Sequence, residues 1–257
     1  MNASQHFEIR NQRGQLITSL DDWFHLAPPK KGALQWKDFR SAKELARSFL
    51  RSGSPSPPTE LLALLRKHFG ELRIEKATPE FCIRLDDLRG EPRNCDLILF
   101  GQIASAPFVA NIEAKADEPF GELIGHYYDQ KLPTRSNVPR RIENLAFTLF
   151  GRFDDEVRSL RYQLLHATAA TVISAWAHRA DKALFLVHEF ISAKLKSENI
   201  ARNRQDWTNF VRALTGASAP EAVEENQILG PIGLHSQSSP SLYLGHLVTE
   251  LTAENEK

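Results

Sequence analysis

The chain has 257 residues, 42% of them hydrophobic and 25% charged, and 32 Lys plus Arg are balanced by 32 Asp plus Glu. Those proportions exclude a disordered, collagen-like or disulfide-stapled chain, and the length allows one large domain or two small ones. Zero formal charge excludes binding to nucleic acid through a bulk basic surplus, so any such contact must be a local patch.

Met1 to Ser19 carry no apolar run of signal-peptide length, and stretches such as Ala183–Val187 are far too short to span a membrane. Cys82 and Cys95 stand in no metal-ligand spacing, and free thiols fit a reducing compartment. These features predict a cytoplasmic protein with no membrane contact.

In chain order, residues 1–39 read as an ordered N-terminal extension. Trp23-Phe24-His25-Leu26-Ala27-Pro28-Pro29 pairs aromatics with prolines, which predicts a loop packed on the body. Ala42, Leu45, Ala46 and Phe49 repeat at helical spacing, with Ser41 as N-cap and Glu44 three residues on, a capping box. After the break at 52–58, Thr59 opens a second helix that Gly70 ends. The period then becomes extended. Arg73–Thr78 reads as a strand, and Phe81–Leu85 and Asn94–Phe100 as a hairpin around the polar stretch 86–93. Phe108–Lys115 is the next strand.

Phe120, Leu123, Ile124 and Tyr127 return to helical spacing, and Lys131–Arg141, with Pro133 and Pro139, reads as a loop. A long buried helix is expected over about Asp154–His178, then a buried strand at Lys182–His188 and a helix at Asn203–Leu214. Short strands fall near Gln227–Leu234 and Leu242–Leu247, and 249–257 reads as a frayed polar tail. There is no repeat and no clear linker, so residues 1–257 are expected to form a single α/β domain.

The chemistry concentrates in Asn94-Cys95-Asp96 and Phe108–Lys115. Alternation puts Val109, Asn111, Glu113 and Lys115 on one face of the second strand, with Phe108, Ala110, Ile112 and Ala114 on the other, towards the core. Glu113 and Lys115 then stand about 7 Å apart along one face. If the two strands pair, Asp96 meets Glu113 across the ladder. Two apposed carboxylates repel unless a cation neutralises them, and a hard divalent ion with oxygen ligands is the natural solution. A lysine beside that ion can orient or deprotonate water, or stabilise charge on a phosphate. The reaction class is metal-assisted hydrolysis of a phosphodiester.

Asp96 followed after sixteen residues by Glu113-Ala114-Lys115, on a hairpin leading into a helix, resembles the PD-(D/E)XK phosphodiesterase superfamily, which has the restriction-endonuclease-like fold. With Glu113–Gly121, Arg161–Thr168 and the Trp23–Glu44 block, the likeness is to a bacterial branch of it and spans roughly residues 20–190. Cys95 stands where the family name expects Pro, and Asp129-Gln130-Lys131 is a second match to the short motif on a helix end. The resemblance implies a restriction-endonuclease-like core, a central mixed sheet of about five strands flanked by helices. It also implies that Asp96 and Glu113 bind Mg²⁺ (or Mn²⁺) and that Lys115 acts on the water, with a backbone carbonyl at Ala114 completing the metal site. Further implications are dimerisation and service in defence or repair.

Glu44 is the extra acid such a fold often places on its first helix, or a capping residue, with Glu75 and Glu80 as rivals. Glu118 and Glu122 open the helix after the site, where the helix dipole accounts for them and a second metal is the alternative. Gln163 and His166, with Tyr162, line the cleft from the long helix or hydrogen-bond within the core. Lys131, Arg135, Arg140 and Arg141 are candidate phosphate contacts, with Lys30 and Lys31 adding to them; solvated loop charge is the alternative. No Gly-x-Ser-x-Gly elbow, phosphate-binding glycine loop or His-Glu-x-x-His helix occurs. The expectation is a divalent-metal-dependent nuclease acting on DNA, as a homodimer or with a partner protein. The alternative is a non-catalytic nucleic-acid- or protein-binding module on the same fold.

Overall fold

The computed structural model describes residues 7–51, 53–216, 223–234 and 240–251. Its centre is an eight-stranded mixed sheet in the order β2-β1-β3-β4-β5-β6-β8-β7. The strands are β1 (Glu8–Arg10), β2 (Leu16–Ile17), β3 (Leu72–Ile83), β4 (Arg93–Ile103), β5 (Ala106–Lys115), β6 (Lys182–Ile191), β7 (Gln227–Ile232) and β8 (Ser241–Glu250). Strands β3, β4 and β5 form an antiparallel meander; β5, β6 and β8 run parallel. Helices cover both faces. On one side lie α1 (Leu20–Leu26), α2 (Ser41–Leu50) and α3 (Thr59–Phe69), which bury Trp23, Phe49 and Leu65 against the sheet. On the other lie α5 (Val138–Phe150), α7 (Tyr162–Ala177) and α8 (Ser197–Thr215), which bury Ile142, Leu165 and Phe210. The chain is therefore an α/β protein with a mixed central sheet flanked by helices. Among the described residues no helix is long and apolar enough to cross a membrane.

Burial on both faces explains a difference from the alternation reading. Phe108, Ala110 and Ile112 enter the core under α2 and α3 as expected, but Val109 enters a second core under α7. A strand between two helical layers has no solvent face. The sheet has eight strands rather than about five, because residues 7–17 supply β1 and β2 at one edge and β7 extends the other.

Several boundaries also shift. Trp23 to Leu26 belong to a helix, not a loop: the Ser19 side chain accepts from the Asp22 N–H, and Asp22 returns the bond to the Ser19 N–H. That reciprocal box is what Ser41 and Glu44 lack. The Glu44 carboxylate instead accepts from the Phe39 N–H at 2.8 Å, and α2 has no side-chain cap. The stretch Arg73–Ile83 is one strand, and Pro79 is tolerated in it because it lies beyond Ala77, where the ladder with β1 ends. The helix after the site, α4 (Ile124–Lys131), starts at Ile124 rather than near Phe120, since Gly121 turns with φ 72°. Pro139 sits in the first turn of α5, so Arg140 and Arg141 are helical rather than in a loop. The long helix is broken at 159–161 into α6 (Asp155–Arg158) and α7. Thr249 and Glu250 belong to β8; the rest of the expected tail, 252–257, lies outside the described residues.

Two features give stability predictions. Between Ile74 and Lys76 the register with β4 slips, so Glu75 is the extra residue of a β-bulge beside Gly101. A Cβ at 101 would collide with the Arg73 carbonyl oxygen. Gly101→Ala is expected to cost about 1–3 kcal/mol in chemical denaturation, the usual penalty of forced overpacking. On the α2/α3 side, His188 is fully buried, and its Nε2 lies 2.9 Å from Thr249 Oγ1, whose hydroxyl donates onward to Glu60. His188 Nδ1 has no hydrogen-bond partner among the described residues. Burial, then Arg51 and His246, push its pKa down to about 3. The unfolded chain therefore binds a proton near pH 6.5 that the folded chain refuses. Stability is complete above about 6.5 and falls as the pH drops from there towards 3. A pH series of urea melts should show this loss, reduced in His188→Leu.

Candidate functional site

The site forms where the start of β4 meets the end of β5 beneath the first turns of α7. Strand alternation aims Asn111 and Glu113 at α7: Asn111 Nδ2 donates weakly to the Ala167 carbonyl, and Gln163 Nε2 donates to Glu113 Oε1. Lys115, two residues on, donates from Nζ to Glu113 Oε1 at 2.7 Å. Arg93, the first residue of β4, donates from Nη2 to Glu113 Oε2 at 2.5 Å. Its Nη1 lies 2.5 Å from His166 Nδ1. A guanidinium only donates, so Nδ1 is an acceptor and the ring is neutral. Burial, then Arg93, hold the His166 pKa well below its ordinary value, which agrees.

Two more carboxylates adjoin this core. Asp96 lies just before the first β4–β5 pair, Leu97 and Ile112, and its Oδ2 accepts from the Ala114 N–H at 2.8 Å. Glu80 lies between Pro79 and Phe81, whose partners Leu97 and Cys95 flank Asp96. Glu80 has a left-handed backbone, φ 48°, and accepts from Asn94 Nδ2 at 3.2 Å. Such a conformation costs a non-glycine residue about 1–3 kcal/mol and persists only where its surroundings impose it.

The electrostatics separate the three acids. Burial, then Asp96, push Glu80 up to about 8. Burial, then Glu113, raise Asp96, although Lys115 and the Ala114 N–H oppose the rise. Burial would raise Glu113 too, but Lys115 and Arg93 outweigh it and hold Glu113 below its usual value. Three acids thus face two cations, Arg93 and Lys115, and the fully ionised cluster is one positive charge short. Among the described residues, no three His, Cys, Asp or Glu side chains converge as a ready-made metal cage.

The cluster forms the floor of a cleft of about 950 Å³. Of the expected site residues, Asp96, Glu113, Ala114, Lys115, Gln163, His166 and Arg141 all line it. The Ala114 carbonyl accepts from Lys115 Nζ at 3.3 Å. Arg141 is committed to Asp86, donating two hydrogen bonds to its carboxylate at 2.7 and 3.0 Å, which anchors α5 to the β3–β4 loop. Other expected residues lie elsewhere. Glu44 is tied to Phe39 and Arg47, and Glu75 is paired with Arg73 at the bulge. Lys131 sits over Tyr127, 5.5 Å from the ring centre, and is not part of the cleft lining; nor are the exposed Arg135 and Arg140. Glu118 does line the cleft, but its carboxylate accepts from the Ser41 and Ala116 N–H groups, which ties the strap after β5 to the start of α2.

Arg93 was not foreseen, and Glu80 stood only as a rival for the extra acid. Arg93 had only one signal, a cation opening an otherwise apolar strand. Glu80 depended on the hairpin register, and the loop runs over 84–92 rather than 86–93.

No curated protein and no solved structure matches the chain significantly. A family model does match it, over residues 16–250, nearly the whole sheet and all of the cleft. The chain therefore belongs to the family described as a domain of unknown function, DUF6946.

Proposed function

We propose that the protein is a divalent-metal-dependent nuclease whose reaction centre is Asp96, Glu113 and Lys115. The observation that carries this reading is the convergence of Asp96 and the buried Glu113, with Glu80 beside them and Lys115 bonded to Glu113, at the floor of a cleft. The donor set suits Mg²⁺ or Mn²⁺, since hard ions take oxygen ligands. Mg²⁺ in particular is usually held by one or two carboxylates plus substrate phosphate rather than by an all-protein cage. Asp96 Oδ1 makes no hydrogen bond among the described residues, so Asp96 and Glu113 would hold the ion, with Glu80 beside them and the Ala114 carbonyl adjacent on β5. The ion would polarise a phosphoryl oxygen and lower the pKa of a bound water.

The chain's own groups then have defined roles. Lys115 Nζ, already a donor to Glu113, orients the attacking water or neutralises charge growing on the phosphate. Gln163 and Arg93 fix the Glu113 carboxylate through its two different oxygens. The resemblance to the PD-(D/E)XK superfamily supports this assignment, including a restriction-endonuclease-like core.

The complete engagement of Glu113 by Arg93, Lys115 and Gln163 supports a second reading, a nucleic-acid-binding module with an internal ion-pair network. One experiment separates them. Plasmid, linear and single-stranded DNA, and RNA, are incubated with the protein and Mg²⁺ or Mn²⁺, with EDTA and Asp96→Asn as controls. Metal-dependent cleavage lost in both controls supports the nuclease. Binding without cleavage under every condition overturns it in favour of the module.

A further inference from the structure

The cleft combines a deep charged floor with aromatic walls. Its floor is deep: Glu113 is 1% exposed and Lys115 5%. Its volume of about 950 Å³ is that of a pocket for a drug-sized ligand, room for a few nucleotides and not for a helix. The rim is drawn together by Lys30 and Glu91, 2.9 Å apart, which join the segment after α1 to the β3–β4 loop. Half-buried aromatic rings stand in the walls. Trp36 packs on Phe24 at 5.4 Å and lines one side; Tyr127 packs on Tyr162 at 5.0 Å and lines the cleft from α4. Lys31 and Arg89, both exposed, also line it and make no ion pair among the described residues.

We propose that this cleft takes a single strand of nucleic acid, with bases stacked on Trp36 and Tyr127 and phosphates drawn in by Lys31 and Arg89. Aromatic rings accept any base, because every base presents a π-face, so the recognition is of unpaired structure rather than sequence. A duplex keeps its bases stacked internally and is too thick to carry a phosphate to the buried Glu113 and Lys115. A strand end or unpaired stretch can descend to them. Cleavage of the bound strand rests on the nuclease reading; its binding does not.

The test is fluorescence anisotropy in EDTA, where nothing is cut, with labelled dT and rU oligomers beside a duplex of equal length. Single strands should bind at least ten-fold more tightly than the duplex. Trp36→Ala and Tyr127→Ala should each weaken single-strand binding about ten-fold, within the range for one stacked base. Because an aromatic truncation can disturb folding, the surface variant Lys31→Glu/Arg89→Glu provides an independent arm. It should lower the slope of log affinity against log salt by about 1.4, at about 0.7 per phosphate contact on a single strand. Equal or tighter duplex binding, no binding of any nucleic acid, or single-strand binding unmoved by all three variants overturns the proposal. If single strands bind as described but nothing is ever cleaved, the nuclease reading fails and this one stands. Cleavage of duplex as fast as single strand has the opposite meaning.

Discussion

Asp96→Asn and Lys115→Met are each expected to cut metal-stimulated phosphodiester hydrolysis by about 10²–10³-fold while leaving the fold intact. That magnitude is typical of deleting one preorganised electrostatic group from a buried site. Both substitutions are chosen for what they keep. Asparagine retains an oxygen able to accept the Ala114 N–H that Asp96 Oδ2 now accepts at 2.8 Å, but lacks the charge that would hold an ion. Methionine keeps an apolar stem beside Phe120, whose ring centre lies 5.1 Å from Lys115 Nζ, but lacks the donor. Initial rates with Mg²⁺, read beside thermal melts of each variant, decide the matter. An Asp96→Asn protein that melts normally and cleaves at the wild-type rate would remove Asp96 from the reaction. Burial disfavours the ionised Asp96 carboxyl, so Asp96→Asn should melt at or above the wild-type temperature.

Glu113→Ala is expected to behave differently, losing about 3–5 kcal/mol of stability. The Glu113 carboxylate is shared by Arg93 and Lys115, whose side chains are each 6% exposed, and by Gln163. Removing it takes away the one carboxylate that both buried cations bond to directly and leaves Asp96 as their nearest remaining acid, and breaking a buried pair by removing one partner costs far more than the net worth of the pair. Urea denaturation should show the midpoint falling with an unchanged slope, the sign of a native-state loss rather than an altered denatured state. A loss below about 1 kcal/mol would mean that water reaches the cluster and screens it, as it does for surface pairs. Inactivity in Glu113→Ala is therefore not evidence about chemistry, whereas inactivity in Asp96→Asn is.

Much of the site was legible in the amino-acid order because it depends on local geometry. Alternation along 108–115 puts Glu113 and Lys115 on one face, and the structure has the two side chains bonded to each other, with Glu113 in reach of α7. The hairpin and the buried character of residues 162–177 follow from periods of 2 and 3.6 that the chain carries itself. Where two local signals competed, the reading erred. Pro133 and Pro139 suggested a loop, yet Pro139 fits the first turn of α5, where its missing N–H costs nothing. Glu44 matched a capping box that Ser19 and Asp22 form instead.

The sequence by itself determined the α/β alternation, the apolar strands and the pairing of an acid with an amine at the end of β5. Only the tertiary structure decided that Arg93 and His166, 73 residues apart, close over Glu113, and that the β3–β4 register sets Glu80 beside Asp96. It also decided that the loose cations of the cleft are Lys31 and Arg89 rather than Arg135 and Arg140. The physical reason is range. Periodicity reports which way a side chain faces within its own strand or helix, whereas charge compensation depends on which strands and helices are brought together around it, and that is settled by packing across the whole sheet.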